Sequence, residues 1–182
     1  MSADLHNPGG KVKTVLPDDL HGDALFSPDG VYRPLLWRWV GEKFPERYVV
    51  FGGMNPSTAD AKHNDPTITR EWAFTQREGY DGYVKVNLVD YRATSPKDVP
   101  VTGAKSDRNL PLIKHWVARA SLVIICSGKL NPALAPYWDA FLQAMTWGEE
   151  PLYCFGKNAD GSPKHPLYLR ADTPLVPFFP RS

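Results

Sequence analysis

Apolar positions along the chain fall into short, uninterrupted runs separated by segments with a helical repeat. Four runs are expected as buried strands: Tyr48-Val49-Val50-Phe51, YVKVNLVD at 83–90, SLVIICSG at 121–128 and PLYCFG at 151–156. They are rich in β-branched and aromatic residues and too short for helices. Between them, side chains recur at spacings of three and four. Ile68, Trp72, Ala73 and Gln76 mark the inward face of a first helix that opens at Asp65-Pro66 and closes at Gly79, with Arg70, Glu71 and Arg77 pointing elsewhere. Leu110, Ile113, Trp116, Val117 and Ala120 mark a second helix over 107–120. Leu134, Tyr137, Trp138, Phe141 and Met145 mark a third, capped by Asn131-Pro132 and ended by Gly148. The alternation β-α-β-α-β-α-β predicts an α/β fold, a three-layer α/β/α sandwich with a central four-stranded parallel sheet.

The remainder is less patterned. FSPDG at 26–30 reads as a turn, and VYRPLLWRWV after it is an amphipathic helix or an edge strand, made ambiguous by Pro34. Residues 1–24 lack periodicity and carry Pro8, Gly9, Gly10 and Pro17, which predicts a loosely ordered N-terminal arm before a single domain over 25–182.

Composition narrows the class. The 182 residues include 21 Lys plus Arg against 20 Asp plus Glu, a net charge of +1, so the electrostatic footprint of a tight nonspecific DNA binder is missing. No apolar run is long enough to span a bilayer and no secretory signal opens the chain, so a cytoplasmic monomer with no membrane partner is expected. Cys126 and Cys154 sit in apolar runs and read as buried free thiols, and neither a metal nor another cofactor is expected.

In a parallel sheet, ligands bind beyond the carboxyl ends of the strands. There the sequence places its most polar loop. Gly52-Gly53 ends the first strand, Asn55-Pro56 holds Asn55 on a stiff corner, and Ser57, Thr58, Asp60, His63, Asn64 and Asp65 follow within nine residues. Turn formation and capping are the plain roles for these groups. Asn87 differs, because an unpaired amide in a buried strand costs about 1–3 kcal/mol, so a backbone group or a ligand must satisfy it. His165-Pro166 later echoes Asn55-Pro56.

Two such loops at one rim resemble the uracil-DNA glycosylase superfamily. GGMNPS at 52–57 is similar to that superfamily's Gly-Met-Asn-Pro-Gly loop, VNLVDYRAT to the strand whose asparagine reads a pyrimidine edge, and His165-Pro166 to its late His-Pro loop. Ser57 replaces a glycine, the water-activating aspartate of the most efficient branch is absent, and Leu-Tyr-Leu follows His165-Pro166. The chain is also identified as a member of a family of uncharacterised bacterial and phage proteins, by Asn-Pro-Ser-x-Ala-Asp, Asp-Pro-Thr-Ile, Asn-Leu-x-x-x-Arg-Ala-Thr, Leu-Tyr-Cys-x-Gly and His-Pro-Leu-Tyr-Leu across 55–169.

The glycosylase resemblance implies hydrolysis of an N-glycosidic bond of a pyrimidine or modified base, in DNA or a nucleotide, within DNA repair or modification. Such a site stabilises an anionic leaving base and holds a water across the sugar. Asn55 would then position water, His165 donate to a base carbonyl, and Asn87 pair with the base edge. Because an amide cannot take the proton, Asp60 or Asp65 would assist. Met54, Pro56 and Ser57 would line the site, Tyr168 or Trp72 would stack on the base, and Arg92, Lys129 and Lys164 would hold phosphates. The alternative is a non-catalytic nucleotide or modified-base binder on the same fold.

Overall fold

The computed structural model describes residues 6–9 and 13–178. Its strands are β1 (Thr14–Val15), β2 (His21–Leu25), β3 (Leu35–Trp39), β4 (Val49–Gly53), β5 (His63–Asn64), β6 (Gly82–Asn87), β7 (Leu122–Ile125), β8 (Leu152–Cys154) and β9 (Val176–Pro177). The helices are α1 (Pro66–Arg77), α2 (Asn109–Val117) and α3 (Trp138–Met145). Seven strands form one mixed sheet in the order β2-β3-β6-β4-β7-β8-β9, and β1 pairs with β5 in a separate ribbon.

The four apolar runs correspond to β4, β6, β7 and β8, whose mutual pairings are parallel. The sheet is not confined to them. β3 runs antiparallel to β6 and β2 to β3, while β9 runs antiparallel to β8. The expected four-stranded parallel sheet is therefore corrected to a seven-stranded mixed one. The sequence does not mark the added strands, because HGDAL is polar and half exposed and β9 has only two residues. VYRPLLWRWV supplies β3, which lies between β2 and β6 and so is not an edge strand. The expected loose arm is tied down from residue 13 by the β1–β5 and β2–β3 pairings, and His6 Nε2 bonds the Arg92 carbonyl at 2.8 Å. Residues 1–5, 10–12 and 179–182 lie outside the described residues.

Side chains alternate across a strand, and both faces of this sheet are covered. Val50, Val84, Val86, Val123 and Ile125 pack with Ile113 and Val117 of α2 and with Phe141, Ala144 and Met145 of α3. Val49, Phe51, Tyr83 and Ile124 pack with Ile68 and Phe74 of α1. A Cβ at Gly52 would come within 2.7 Å of Met145 Cε, so the glycine lets α3 lie close on β4.

α1 begins as its sequence dictates: Asp65 Oδ1 accepts from Ile68 N at 3.0 Å, and Pro66 occupies a position that needs no donor. Its buried face is rotated from expectation. Ile68, Glu71, Phe74 and Thr75 are inside, Trp72 is partly buried, and Ala73 and Gln76 are exposed. Glu71 goes inward because Lys85 of β6 meets it there. The third helix is also shorter than expected, since Pro136 holds 132–137 in a 3-10 turn before α3. Among the described residues no helix is long and apolar enough to cross a membrane, and both cysteines are buried free thiols.

Candidate functional site

A cavity of about 100 Å³ opens at the carboxyl ends of β4, β6 and β7, where Gly53, Asn87 and Ser127 stand. The α1 amino end contributes Asp65, Thr67 and Ile68, and His165 closes it from a distant loop. The chain leaving β4 is laced to the chain leaving β6: Leu88 N donates to Gly53 O, Val89 N to Met54 O and Ala93 N to Pro56 O at 2.9–3.1 Å. Asn109 Nδ2 donates to the carbonyls of Asn87 and Leu88 at 3.3 and 3.2 Å, which fixes the backbone beneath the Asn87 side chain.

Along β6, alternate residues on the α1 side become more available towards the rim. Tyr83 donates to Ile68 O, and Lys85 donates to Glu71 Oε1 at 2.5 Å. Asn87 is 1% exposed, and neither its Oδ1 nor its Nδ2 has a hydrogen-bond partner among the described residues. Ser57, on the same cavity and 7% exposed, likewise has an unpartnered Oγ. Asn55 is half-buried, and its Nδ2 is committed to the carbonyls of Ala93 at 2.8 Å and Pro56 at 3.1 Å, which leaves Oδ1 as the acceptor. His165 Nδ1 accepts from Leu167 N at 3.3 Å, so a neutral ring carries its proton on Nε2.

The cavity wall carries charge. Arg33 donates to Ala59 O at 2.5 Å, while its Nε has no partner among the described residues. Burial lowers its pKa to about 10, with Asp65 opposing, so it remains cationic at neutral pH. Burial also works against the Lys85 charge, but Cys126 and Glu71 outweigh it and the ammonium pKa is raised. Burial pushes the Glu71 carboxyl up and Lys85 pulls it back, so the lysine is the more firmly charged partner. Cys126 donates weakly to Glu71 Oε1 at 3.5 Å, and burial pushes this thiol far up, which removes it as a nucleophile at neutral pH.

Six of the residues singled out in the sequence therefore line this cavity: Met54, Asn55, Ser57, Asp65, Asn87 and His165. The others lie elsewhere. Asp60 binds Lys13 and His63, and although burial opposes its ionisation, hydrogen bonds from Lys62 N, His63 and Lys13 bring its pKa down to about 2. Pro56 is buried and serves through its carbonyl. Arg92 is turned inward, donating to the carbonyls of His6 at 2.7 Å and Gly30 at 2.8 Å, which removes it as a phosphate ligand. Trp72 packs in the core cluster beneath α1. Lys129, Lys164 and Tyr168 line a neighbouring hollow of about 620 Å³ that shares His165, with Tyr168 84% exposed.

Arg33, Lys85 and Glu71 were not anticipated, since a charge inside an apolar run reads as an outward residue. Arg38 belongs with them. Fully buried, it donates to Asn64 Oδ1 and to the carbonyls of Asp60 and His63 at 2.6–2.9 Å, pinning the loop that leads to Asp65.

Comparison with curated proteins and with solved structures returns no match. Residues 33–167, which include every cavity residue named above, match the model of a family described as protein of unknown function, DUF1643.

Proposed function

Because the chain belongs to the DUF1643 family, whose description names no activity, we infer its function from the cavity and propose a glycosylase that recognises a nucleobase in DNA or a nucleotide and hydrolyses its N-glycosidic bond. The observation that carries this reading is the Asn87 amide, buried at the cavity with donor and acceptor both unused. Leaving them so costs about 1–3 kcal/mol. A lactam or imide edge of a base offers the complementary acceptor and donor. The same reading takes the fold as a uracil-DNA glycosylase-like three-layer sandwich.

In the reaction, the bond between sugar C1′ and the base nitrogen breaks with both electrons leaving on the base. Water adds to C1′ and gives up a proton. His165 Nε2–H and the Lys85 and Arg33 cations face the developing anion, Asn55 Oδ1 accepts from the water, and Asp65, the cavity's carboxylate, takes the proton. A base in duplex must first be flipped out, at a cost of a few kcal/mol.

The test is mass spectrometry of bases released from single-stranded and duplex oligonucleotides carrying a panel of pyrimidines and modified bases. Asn55→Ala is expected to abolish release with affinity held within a few-fold, because its interaction acts in the transition state. Asn87→Ala is expected to weaken binding itself. The alternative, a non-catalytic binder, is favoured by the use of Asp65 as the α1 cap and by the position of Asp60 outside the cavity. Affinity for a base-containing ligand, equally sensitive to both substitutions and without release from any substrate, would establish the binder.

A further inference from the structure

Arg33 and Arg38 are both buried, at 2% and 0% exposure, and both hold the loop between β4 and α1, yet they are spent differently. Arg38 uses Nε on Asn64 Oδ1, Nη1 on Trp37 O and Nη2 on the carbonyls of Asp60 and His63, at 2.6–2.9 Å. The Arg33 side chain makes one hydrogen bond among the described residues, from Nη1 to Ala59 O, and its Nε has no partner. Of the two, Arg33 is the one that lines the cavity. A guanidinium donates through all of its nitrogens, and a buried charge without a partner is costly. Lys85 on the same wall is matched by Glu71 behind it. Arg33 has no such match: Asp65 acts on it through space, and Asp65 Oδ1 is taken by Ile68 N. The charged side chains lining the cavity are Arg33, Lys85 and Asp65, so cations outnumber the carboxylate.

Other donors around this cavity are uncommitted as well. Ser57 Oγ is buried there without a partner. At the amino end of α1, Asp65 accepts from Ile68 N through Oδ1 and from Thr69 N through its carbonyl. That leaves the Thr67 N–H of the first turn, and Thr67 lines the cavity.

We propose that Arg33, Ser57 and the amino end of α1 form an oxyanion subsite in this cavity, and that its ligand is a terminal phosphate. The Nε and Nη2 edge of the guanidinium, free of the Ala59 carbonyl, is the fork that grips two oxygens of one oxyanion. Ser57 and Thr67 supply further donors, and the helix end favours negative charge. Together these donors suit the three terminal oxygens of a phosphate better than the two of a carboxylate. Because Arg33 is buried, the phosphate must protrude to reach it. An internal phosphodiester carries a sugar on both sides and stays outside, whereas inorganic phosphate or the phosphate of a mononucleotide reaches in. The subsite goes beyond the nucleobase reading, in which Arg33 only faces the leaving base.

The test is calorimetric titration of the full chain, in phosphate-free buffer at neutral pH, with inorganic phosphate, acetate, uridine and uridine 5′-monophosphate. Wild type is expected to bind inorganic phosphate about tenfold or more tightly than acetate. Arg33→Gln keeps an N–H for the Ala59 carbonyl but carries no charge, and is expected to lose about tenfold or more of the phosphate affinity. Ser57→Ala leaves the guanidinium in place and is expected to lose about threefold or more, which carries the test if Arg33→Gln does not fold. With those losses, tighter binding of uridine 5′-monophosphate than of either uridine or inorganic phosphate identifies the mononucleotide as the source of the phosphate. Equal binding of inorganic phosphate and the nucleotide identifies the free ion. Inorganic phosphate failing to bind wild type, acetate binding as tightly, or affinity unchanged in the folded variants would overturn the subsite. Base release in the mass-spectrometric test without phosphate binding would overturn the subsite alone, and phosphate binding without release from any substrate would overturn the glycosylase alone.

Discussion

Separating the two partners of the Glu71–Lys85 pair is expected to damage the protein far more than removing both. With Nζ and Oε1 2.5 Å apart, the gross attraction is about 6–7 kcal/mol at an effective dielectric constant of about 20. Against it stands a desolvation penalty of several kcal/mol for each ion, because Glu71 is fully buried and Lys85 nearly so. The intact pair is thus close to neutral for stability. Lys85→Met leaves a carboxylate in the core with only the weak Cys126 thiol donor, and Glu71→Leu leaves an ammonium facing only the Cys126 sulfur. Each is expected to cost about 3–5 kcal/mol, or roughly 6–20 °C in Tm for a domain of this size. The double variant is expected to recover most of that loss, giving a coupling of about 3 kcal/mol or more in a cycle measured by denaturant unfolding. Additive losses, with the double variant as unstable as the two single changes combined, would show that the charges do not compensate one another.

Gly53→Ala places a methyl group against Lys85 Nζ, Asn87 Oδ1 and Lys85 Cε, all within 2.9 Å, and is expected to cost roughly 1–3 kcal/mol and to abolish ligand binding. Gly79→Ala, at φ +77° with open space around it, is the control: thermal denaturation should show a loss of about 1 kcal/mol, and ligand titration no change. Asp60 has a folded pKa of about 2, below its ordinary value of 3.8, so its stabilisation is present above about pH 4 and lost as pH falls towards 2. Calorimetry of Asp60→Asn, which keeps an acceptor for the turn, is expected to show a flatter fall in Tm across that window, and curves parallel to wild type would refute the assignment.

What the sequence conveyed and what it hid follow from where the information lies. β4, β7 and β8 are apolar on both faces, so composition alone marks them, and Asp65-Pro66 announces the start of α1 through local chemistry. The face of α1 was ambiguous because Ile68 belongs to two stripes, one through Trp72 and Gln76 and the other through Glu71 and Thr75. The apolar stripe was the natural choice. What decides otherwise is Lys85, 14 residues on in another element. Arg33 and Arg38 were hidden for a related reason: their partners are mostly backbone carbonyls of residues 59–63, which no side-chain pattern encodes. At the cavity, Asn55, Asn87 and His165 were legible through strand ends and proline-locked corners, whereas Asp60 and Arg92, equally polar and equally near the rim in sequence, were absorbed by the loops themselves.

The arginines that grip the β4–α1 loop by its carbonyls also bear on the time course of recognition. A loop of this length left to wander would have to be immobilised by whatever bound against it, and that entropy would be subtracted from affinity. Here Arg33 and Arg38 hold Ala59, Asp60 and His63 in place from within the folded chain, so the ordering cost falls on folding and is complete before any encounter. A ring of the proposed kind arriving at the mouth would meet a wall already in its working shape. On the proposed glycosylase reading, binding is then expected to proceed in one step whose observed rate rises linearly with ligand concentration, leaving more of the contact energy for distortion at the bond to be broken.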